Sequence, residues 1–277
     1  MKLDLFRRSL GVLAGLALLA GPAAASEWIS LSASYSVSIA GLPIGQFGLD
    51  GTFNERAYRL DGSGGVTGFG RLVSSGRGMA QSNGTFVAGR VLPARYAYQE
   101  SGQKTISIGM DMSHGEVRRL SVVPPVEPHW ERVPVTEAHK RGIVDPMSGL
   151  LYQAKSEAAL LSPAVCGRSV PIFDGRQRFD IELSFAGTRP VRTPRGYQGP
   201  VVVCRAAYRP IAGHRPTKKE VQQMQANRNI EVWFAPVEGT RVLLPYRVGI
   251  HTPFGEAVAE ADRFEARPGA KQAAAAP

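Results

Sequence analysis

The sequence predicts a mainly β protein in which an antiparallel meander forms a strongly curved sheet or incomplete barrel carrying two short helices. Three observations predict this class: short runs of alternating apolar residues, turn signals between neighbouring runs, and many glycines between Gly62 and Gly78. Glycine inside a strand pattern marks bulges and bends, by which a sheet curls. A two-layer β-sandwich is the alternative, because periodicity alone does not separate the two architectures.

The N-terminal half reads as consecutive strands. Residues 31–39 alternate between apolar and polar, and the pattern resumes after Gly41-Leu42-Pro43. Asn83-Gly84 lies between two further runs, as is typical of a type I′ hairpin. Two more runs, at residues 91–98 and 105–112, extend the meander.

The stretch TEAHKRGIVDPMSGLLY, residues 136–152, breaks this strand pattern. Asp145 is a good helix N-cap and Pro146 suits the first helical position. Apolar residues at helical spacing then predict a helix over 146–159. Residues 136–141 are expected to form one more short helical turn.

Strands return in the second half. Asp174-Gly175 separates two runs and predicts a second hairpin. Thr217 and Glu220 have the spacing of a capping box, which predicts a helix ending near Asn227. The predicted strands of this half are 170–173, 179–185, 201–208, 230–234, 242–250 and 256–264.

The first residues predict export. Lys2, Arg7 and Arg8 precede a short apolar run that ends before Ala23-Ala24-Ala25, as in a signal peptide cleaved after Ala25. No second apolar run is long enough to span a bilayer, so the protein is not expected to be an integral membrane protein. We therefore expect a signal peptide (1–25), a single β-rich domain (26–265) and a disordered tail (266–277), located in the periplasm.

Export also decides how the cysteines and the charge are interpreted. In an oxidising compartment Cys166 and Cys204 are most simply a disulfide, with two separately buried thiols as the alternative. The formal charge of +10 becomes +8 once the signal peptide is removed. Outside the cytoplasm such a charge favours anionic lipid, lipopolysaccharide, wall polymers or acidic envelope proteins as partners, and not nucleic acid.

Only one compact group of residues has the types needed for nucleophilic catalysis: His139, Asp145 and Ser148. A helix N-terminus accounts for the aspartate and the serine, so we interpret the group as a hinge. No GxSxG motif is present, and the five histidines lack metal-ligand spacing. The sequence therefore predicts no catalytic residue, metal or other cofactor.

Basic residues form two groups. Arg189, Arg192 and Arg195 are interleaved with prolines, whereas the second group surrounds the start of the second predicted helix. Arginines near a helix N-terminus could bind an anion, or they could form a solvated edge that prevents strand pairing. The second group consists of Arg209, His214, Arg215, Lys218 and Lys219.

Several segments together resemble the uncharacterised bacterial envelope proteins called domain-of-unknown-function family 3108. They are ASYSVSIAGLPIG, VTEAHKRGIVDPMSGLL, CGRSVPIFDGRQRFDIELSF, YRPIAGHRP and IEVWFAPV. The resemblance covers nearly the whole mature chain and implies a mostly β, periplasmic protein of a Gram-negative bacterium. It implies no established activity and no catalytic residue.

The function we expect is non-enzymatic binding or envelope maintenance, with a lipid or other amphiphile on the concave face of the sheet and the basic residues at its head group. The alternatives are a scaffold that binds an envelope protein or wall polymer, and a hydrolase of an envelope polymer using His139 or His214. The apolar residues expected on that face, which plain core packing explains equally well, are Leu31, Tyr35, Tyr58, Phe179, Ile181, Tyr208, Phe234 and Tyr246.

Overall fold

The structure, a computed structural model, describes residues 27–67, 76–102 and 105–269. Over these residues it contains one sheet of 15 strands, almost entirely antiparallel and not closed, which confirms the predicted class. The strands are β1 (Ile29–Ile39), β2 (Leu42–Phe53), β3 (Ala57–Val66), β4 (Arg77–Val87), β5 (Arg90–Ser101), β6 (Ile106–Ser113), β7 (Glu116–Val123), β8 (Tyr152–Gln153), β9 (Arg168–Phe173), β10 (Arg178–Arg192), β11 (Arg195–Gly196), β12 (Gln198–Ala212), β13 (Ile230–Pro236), β14 (Val242–Thr252) and β15 (Gly255–Pro268).

The strand order is β7-β6-β5-β4-β3-β2-β1-β15-β14-β13-β12-β10-β9, with β8 pairing with β14 and β11 with β15. The meander β1–β7 is therefore joined to the second half through the β1–β15 pair, and β7 and β9 are the two edges. Arg141 pairs with Glu116 of β7, and Val144 pairs with Ile172 of β9. The sheet is thus curved far enough for one short segment to contact both edges.

The glycines of β3 act differently from the prediction. The registers of β3 with β2 and β4 run without a shift through Gly62, Gly64 and Gly65. A Cβ at Gly64 would lie 2.7 Å from Cβ of Phe47, and one at Gly62 would lie 3.0 Å from Cε of Met147. These glycines therefore permit close packing and do not form bulges. Gly68 and Gly70 lie outside the described residues.

The hairpin predicted at Asn83-Gly84 is wrong, because both residues lie inside β4. The turn comes later, at Ala88 and Gly89, which have φ values of 51° and 78°. A register shift falls between Asn83 and Gly84, where a Cβ on Gly84 would lie 2.3 Å from the carbonyl oxygen of Leu92. Glycine is needed there for the approach of β5. The hairpin predicted at Asp174-Gly175 is confirmed between β9 and β10.

The helix predicted over 146–159 is also wrong. The segment forms 3-10 turns at Ser148–Leu150 and Glu157–Ala159, separated by the two-residue strand β8. Its apolar residues contact different parts of the core: Met147 and Leu151 pack with the meander, whereas Ala154 packs near the disulfide. The helical spacing therefore reflects burial on several sides of a chain that runs through the interior.

The described chain contains one α-helix, α1 (Lys219–Ala226), in place of the two predicted. Its capping box is not formed, because the hydroxyl of Thr217 bonds to Glu131 and Lys218 occupies the N-cap position without a side-chain bond. The expected helical turn after Thr136 is confirmed as a 3-10 turn, Glu137–Lys140. A further 3-10 turn is Pro163–Val165.

The last strand extends beyond the predicted end of the domain. β15 pairs with β1 as far as Pro268, so the boundary expected at residue 265 moves by three residues. The predicted signal peptide (1–25) and the tail from residue 270 lie outside the described residues. Across the part of the chain that is described, no helix has the length and apolar character needed to span a bilayer.

Candidate functional site

A cleft of about 750 Å³ lies at the end of the meander where β3 ends and β4 begins. We call it the β1–β5 cleft. Its volume lies within the range of small-molecule sites. Its lining residues are Ser34, Tyr35, Gln46, Phe47, Gly48, Ser63, Gly64, Gly65, Arg77, Gly78, Met79, Gln99, Ser101, Arg195 and Asp262.

Strand pairing aligns small side chains across the floor of this cleft. Ser34 of β1 lies opposite Gly48, Gly48 lies opposite Ser63, and Ser63 lies opposite Met79. Directly opposed residues of neighbouring strands place their side chains on the same face. A Cβ at Gly48 would find only the Ala33 carbonyl oxygen at 3.9 Å and the Ser63 hydroxyl at 4.0 Å. The missing side chains leave open space on the sheet.

Two arginines give the cleft a positive character. Within the described residues, neither Arg77 nor Arg195 lies within salt-bridge distance of a carboxylate. Asp262 is the extra residue of a bulge opposite Ser34 and Tyr35, and it accepts a hydrogen bond from the Ser34 hydroxyl. The arginines are therefore available to an anionic ligand.

An aromatic pair borders the same cleft. The rings of Tyr35 and Phe47 are stacked, with centroids 4.3 Å apart and an interplanar angle of 7°. The Tyr35 hydroxyl donates to the Pro245 carbonyl oxygen at 2.7 Å, and burial raises the pKa of this phenol. Tyr35 is thus neutral and fixed, with only 3% of its surface exposed.

The apolar residues predicted to line the concave face are distributed over two parts of the core. Leu31, Tyr35, Tyr58 and Tyr246 are buried in one cluster of the core, whereas Phe234 is buried in a second cluster near the disulfide. Phe179 and Ile181 pack at the edge of that second cluster, and the ring of Phe179 lies 5.4 Å from that of Tyr208. These residues mainly form core.

Four polar side chains in the interior form one hydrogen-bonded group, which we call the Asp145 cluster. They are Tyr58, Ser82, Asp145 and Ser148. Asp145 accepts from the backbone amides of Met147 and Ser148 at 2.9 and 3.0 Å and from the Ser82 hydroxyl at 3.0 Å. Ser148 also donates to it, and the Tyr58 and Ser148 hydroxyls are 2.6 Å apart. The cluster attaches the segment after Val144 to β3 and β4.

The structure separates the three residues considered for catalysis. Asp145 and Ser148 are buried at 0% and 1% exposure, as expected for a capped turn. His139 is half-buried, and its Nδ1 bonds to the backbone amide and the hydroxyl of Thr136. No group of three potential metal ligands is found among the described residues.

The two predicted groups of basic residues lie at opposite ends of the β10–β12 hairpin. Arg192 pairs with Gln198 at the turn, whereas Arg178 pairs with Ala212 at the other end. Strands of that length span roughly 45 Å at the usual rise per residue. The two groups therefore do not form one site.

Several basic residues of the two groups already have partners. Arg189 lies 5.4 Å from the Trp233 ring, which Arg247 approaches at 4.9 Å. Arg215 is paired with Glu131 at 3.2 Å. Arg192, Lys218 and Lys219 are exposed, and Arg209 pairs with Glu182. His214 is buried, and burial lowers the pKa of its imidazole.

The disulfide prediction is confirmed. Cys166 and Cys204 are bonded, with their Cα atoms 5.4 Å apart, and both are fully buried. Of the predicted binding residues, only Arg195 and Tyr35 border the cleft. The sequence did not single out the other lining residues; the available signal was the abundance of serine and glycine in β1, β2 and β3.

Comparison with known proteins gives a family and distant similarity to solved structures. The crystal structure of a β-barrel-like protein of domain of unknown function DUF1849 from Brucella abortus has a TM-score of 0.46 at 8% identity, covering 88% of this chain and 98% of that chain. The sequence matches none of the curated proteins with which it was compared. The family described as a protein of unknown function, DUF3108, matches residues 34–262, and the chain belongs to this family.

Proposed function

We propose that this is a non-enzymatic binding protein of the periplasm that holds an anionic amphiphile in the β1–β5 cleft. The observation that carries the proposal is the cleft itself, which combines two arginines that are outside salt-bridge distance of any described carboxylate with hydroxyl and amide groups and the exposed side chain of Met79. A guanidinium binds phosphate or carboxylate with paired hydrogen bonds. Met79, which lies on the same face as the floor residues and is 57% exposed, offers contact to an acyl chain.

Two exposed apolar side chains near the same end of the meander support an amphiphile over a fully polar ligand. Leu42 is 54% exposed and Phe254 is 82% exposed. Their turns are adjacent, because the Ala40 amide donates to the Glu256 carbonyl oxygen at 2.9 Å. Leu42 precedes Gln46 of the cleft by four positions on β2, or roughly 13 Å. Apolar turns beside a cleft suit a ligand that is delivered from a membrane surface.

Native mass spectrometry of the mature protein, isolated gently from the periplasm, tests this function. We expect an additional mass that is extracted into organic solvent. Isothermal titration with lysophosphatidylglycerol, an anionic single-chain probe, should then show binding. Bare polypeptide in several mild preparations, together with no binding of the probe, would reject the proposal and favour the scaffolding alternative.

A cleft-filling substitution provides the sharper test. Gly48→Phe places a ring in the open space beside Ser34 and Ser63, and we expect it to weaken lysophosphatidylglycerol binding by about tenfold or more. Gly109→Phe is the matched control, since Gly109 also lies within the meander and a Cβ at this position would have no atom within 4 Å, but it lies outside the cleft. Equal loss of binding in both variants would contradict this location.

A further inference from the structure

Arg168 is a partly enclosed cation without a counter-charge. Its Nη2 is buried with no hydrogen-bond partner, and its Nε makes a long bond of 3.3 Å to the Val165 carbonyl oxygen. No carboxylate of the described residues lies within salt-bridge distance of it. A buried charge is energetically costly unless it is paired. A bound anion would lower the cost of burying this guanidinium.

Aromatic rings hold the guanidinium in place. Its Cζ lies 4.9 Å from the centre of the Tyr152 ring and 5.9 Å from that of Phe234. Burial lowers the pKa of Arg168 to about 10, which leaves it charged at neutral pH. The rings compensate the cation only in part, because cation–π contacts do not replace hydrogen bonds to an anion.

Arg168 borders a second cavity, of about 250 Å³, between the β4–β5 turn, the segment around Ile143 and the start of β9. We call it the Arg168 cavity. None of its lining residues in the described chain is Asp or Glu, and Arg90 is a second cation. The lining residues that carry the argument are Arg90, Val91, Leu92, Leu151, Arg168 and Val170.

Three glycines in turns line this cavity without contributing side chains. Gly89, Gly115 and Gly142 all line it and all have positive φ, at 78°, 76° and 63°. Residues with larger side chains rarely adopt this backbone conformation. The backbone conformation at these three positions therefore favours glycine, which leaves this part of the cavity free of side chains.

We propose that the Arg168 cavity binds a small organic anion, with its carboxylate or phosphate at Arg168 and Arg90 and a short apolar chain against Val91, Leu92 and Leu151. This site goes beyond the proposed function. It lies beside the β4–β5 turn, whereas the β1–β5 cleft lies where β4 begins and β5 ends. The two sites are therefore distinct.

Isothermal titration of the mature protein with octanoate, octyl phosphate and octylamine tests the assignment. We expect both anions to bind and the amine not to bind. Inorganic phosphate should bind more weakly than octyl phosphate, because it lacks the apolar chain. Equal binding of octylamine, or no binding of either organic anion, would overturn the proposal. Inorganic phosphate binding as tightly as octyl phosphate would overturn the part assigned to the apolar wall.

Substitutions separate this site from general effects on folding. Arg168→Met keeps the length and packing of the side chain, and we expect it to weaken octanoate binding by about tenfold or more. Arg90→Gln, at an exposed position, should weaken it less. Arg132→Met is the matched control, since Arg132 is a partly buried arginine that bonds to the Gly213 carbonyl oxygen and does not line the cavity.

The unliganded stability gives a second readout. Because Arg168→Met removes an unpaired buried charge, the free protein should unfold at the same or a higher denaturant concentration than the wild type. Gly48→Phe should leave unchanged the octanoate binding that depends on Arg168, so failure of the cleft would not be mistaken for failure of this cavity. Unchanged octanoate affinity in Arg168→Met, with the fold intact, would refute the site.

Discussion

Replacing Asp145 by alanine is expected to lower the free energy of unfolding by about 2–4 kcal/mol. Its carboxyl accepts from the backbone amides of Met147 and Ser148 and from the hydroxyls of Ser82 and Ser148. Alanine leaves the two amides without an acceptor in a place that water does not reach, since Asp145 is fully buried. Urea unfolding followed by circular dichroism measures the change. A decrease in the free energy of unfolding of less than about 1 kcal/mol would show that the Asp145 cluster does not stabilise the segment after Val144.

Asparagine at the same position separates hydrogen bonding from charge. Burial raises the pKa of the Asp145 carboxyl, against the opposing effect of its hydrogen bonds from Ser148, Ser82 and Met147. The folded protein therefore holds this proton more tightly than the unfolded chain. The resulting stabilisation is complete below the unfolded pKa and is lost as the pH rises through the folded value.

Asp145→Asn does not titrate, so it should behave as a reference across pH. At acidic pH we expect the variant and the wild type to have similar free energies of unfolding. As the pH rises to neutrality, the variant should become more stable relative to the wild type. Parallel urea titrations at several pH values make the comparison. A wild-type advantage that grows with rising pH would contradict the raised pKa.

The features that the sequence predicts correctly are those that follow from local pattern. Alternating residues in β1 and β6 identify strands because one face of each is buried and the other is less so. Asp145 is recognisable as a cap because a carboxylate before a turn accepts hydrogen bonds from amides that otherwise lack partners. The pairing of Cys166 with Cys204 follows from the expected compartment alone.

Long-range contacts account for what the sequence does not reveal. Asn83-Gly84 has the pattern of a turn, but Gly84 is glycine because Leu92, eight positions later, approaches its backbone. Thr217 has the spacing of a cap, but its hydroxyl bonds to Glu131, which lies 86 positions earlier. Local sequence propensity carries no information about such distant partners. The sequence therefore shows which residue is present but not the contact that requires it.

The candidate sites are hidden for the same reason. The floor of the β1–β5 cleft exists because pairing places Ser34, Gly48 and Ser63 side by side, and each is ordinary within its own strand. The sequence does not single out Arg168, because its neighbours along the chain do not reveal that the rings of Tyr152 and Phe234 enclose it. In the sequence, attention is drawn to segments where several basic residues lie close together. Most of the arginines that line the two cavities lie outside such segments.

Removing the disulfide by the double substitution Cys166→Ala and Cys204→Ala is expected to lower the free energy of unfolding by about 3–4 kcal/mol. The bond joins residues 38 positions apart and connects the start of β9 to β12 across the intervening β10. Without it the unfolded chain gains the entropy of that loop. Urea unfolding of the variant and of the oxidised wild type measures the difference.

The same substitution should also weaken octanoate binding, although it leaves Arg168 in place. The Arg168 amide donates to the Cys166 carbonyl oxygen at 2.8 Å, and its Nε donates to the carbonyl of Val165, so the disulfide fixes the backbone that positions the guanidinium. We expect the affinity to fall while the β1–β5 cleft still binds lysophosphatidylglycerol. Equal stability of the two proteins, together with equal octanoate affinity, would show that the cross-link supports neither the second half of the sheet nor the Arg168 cavity.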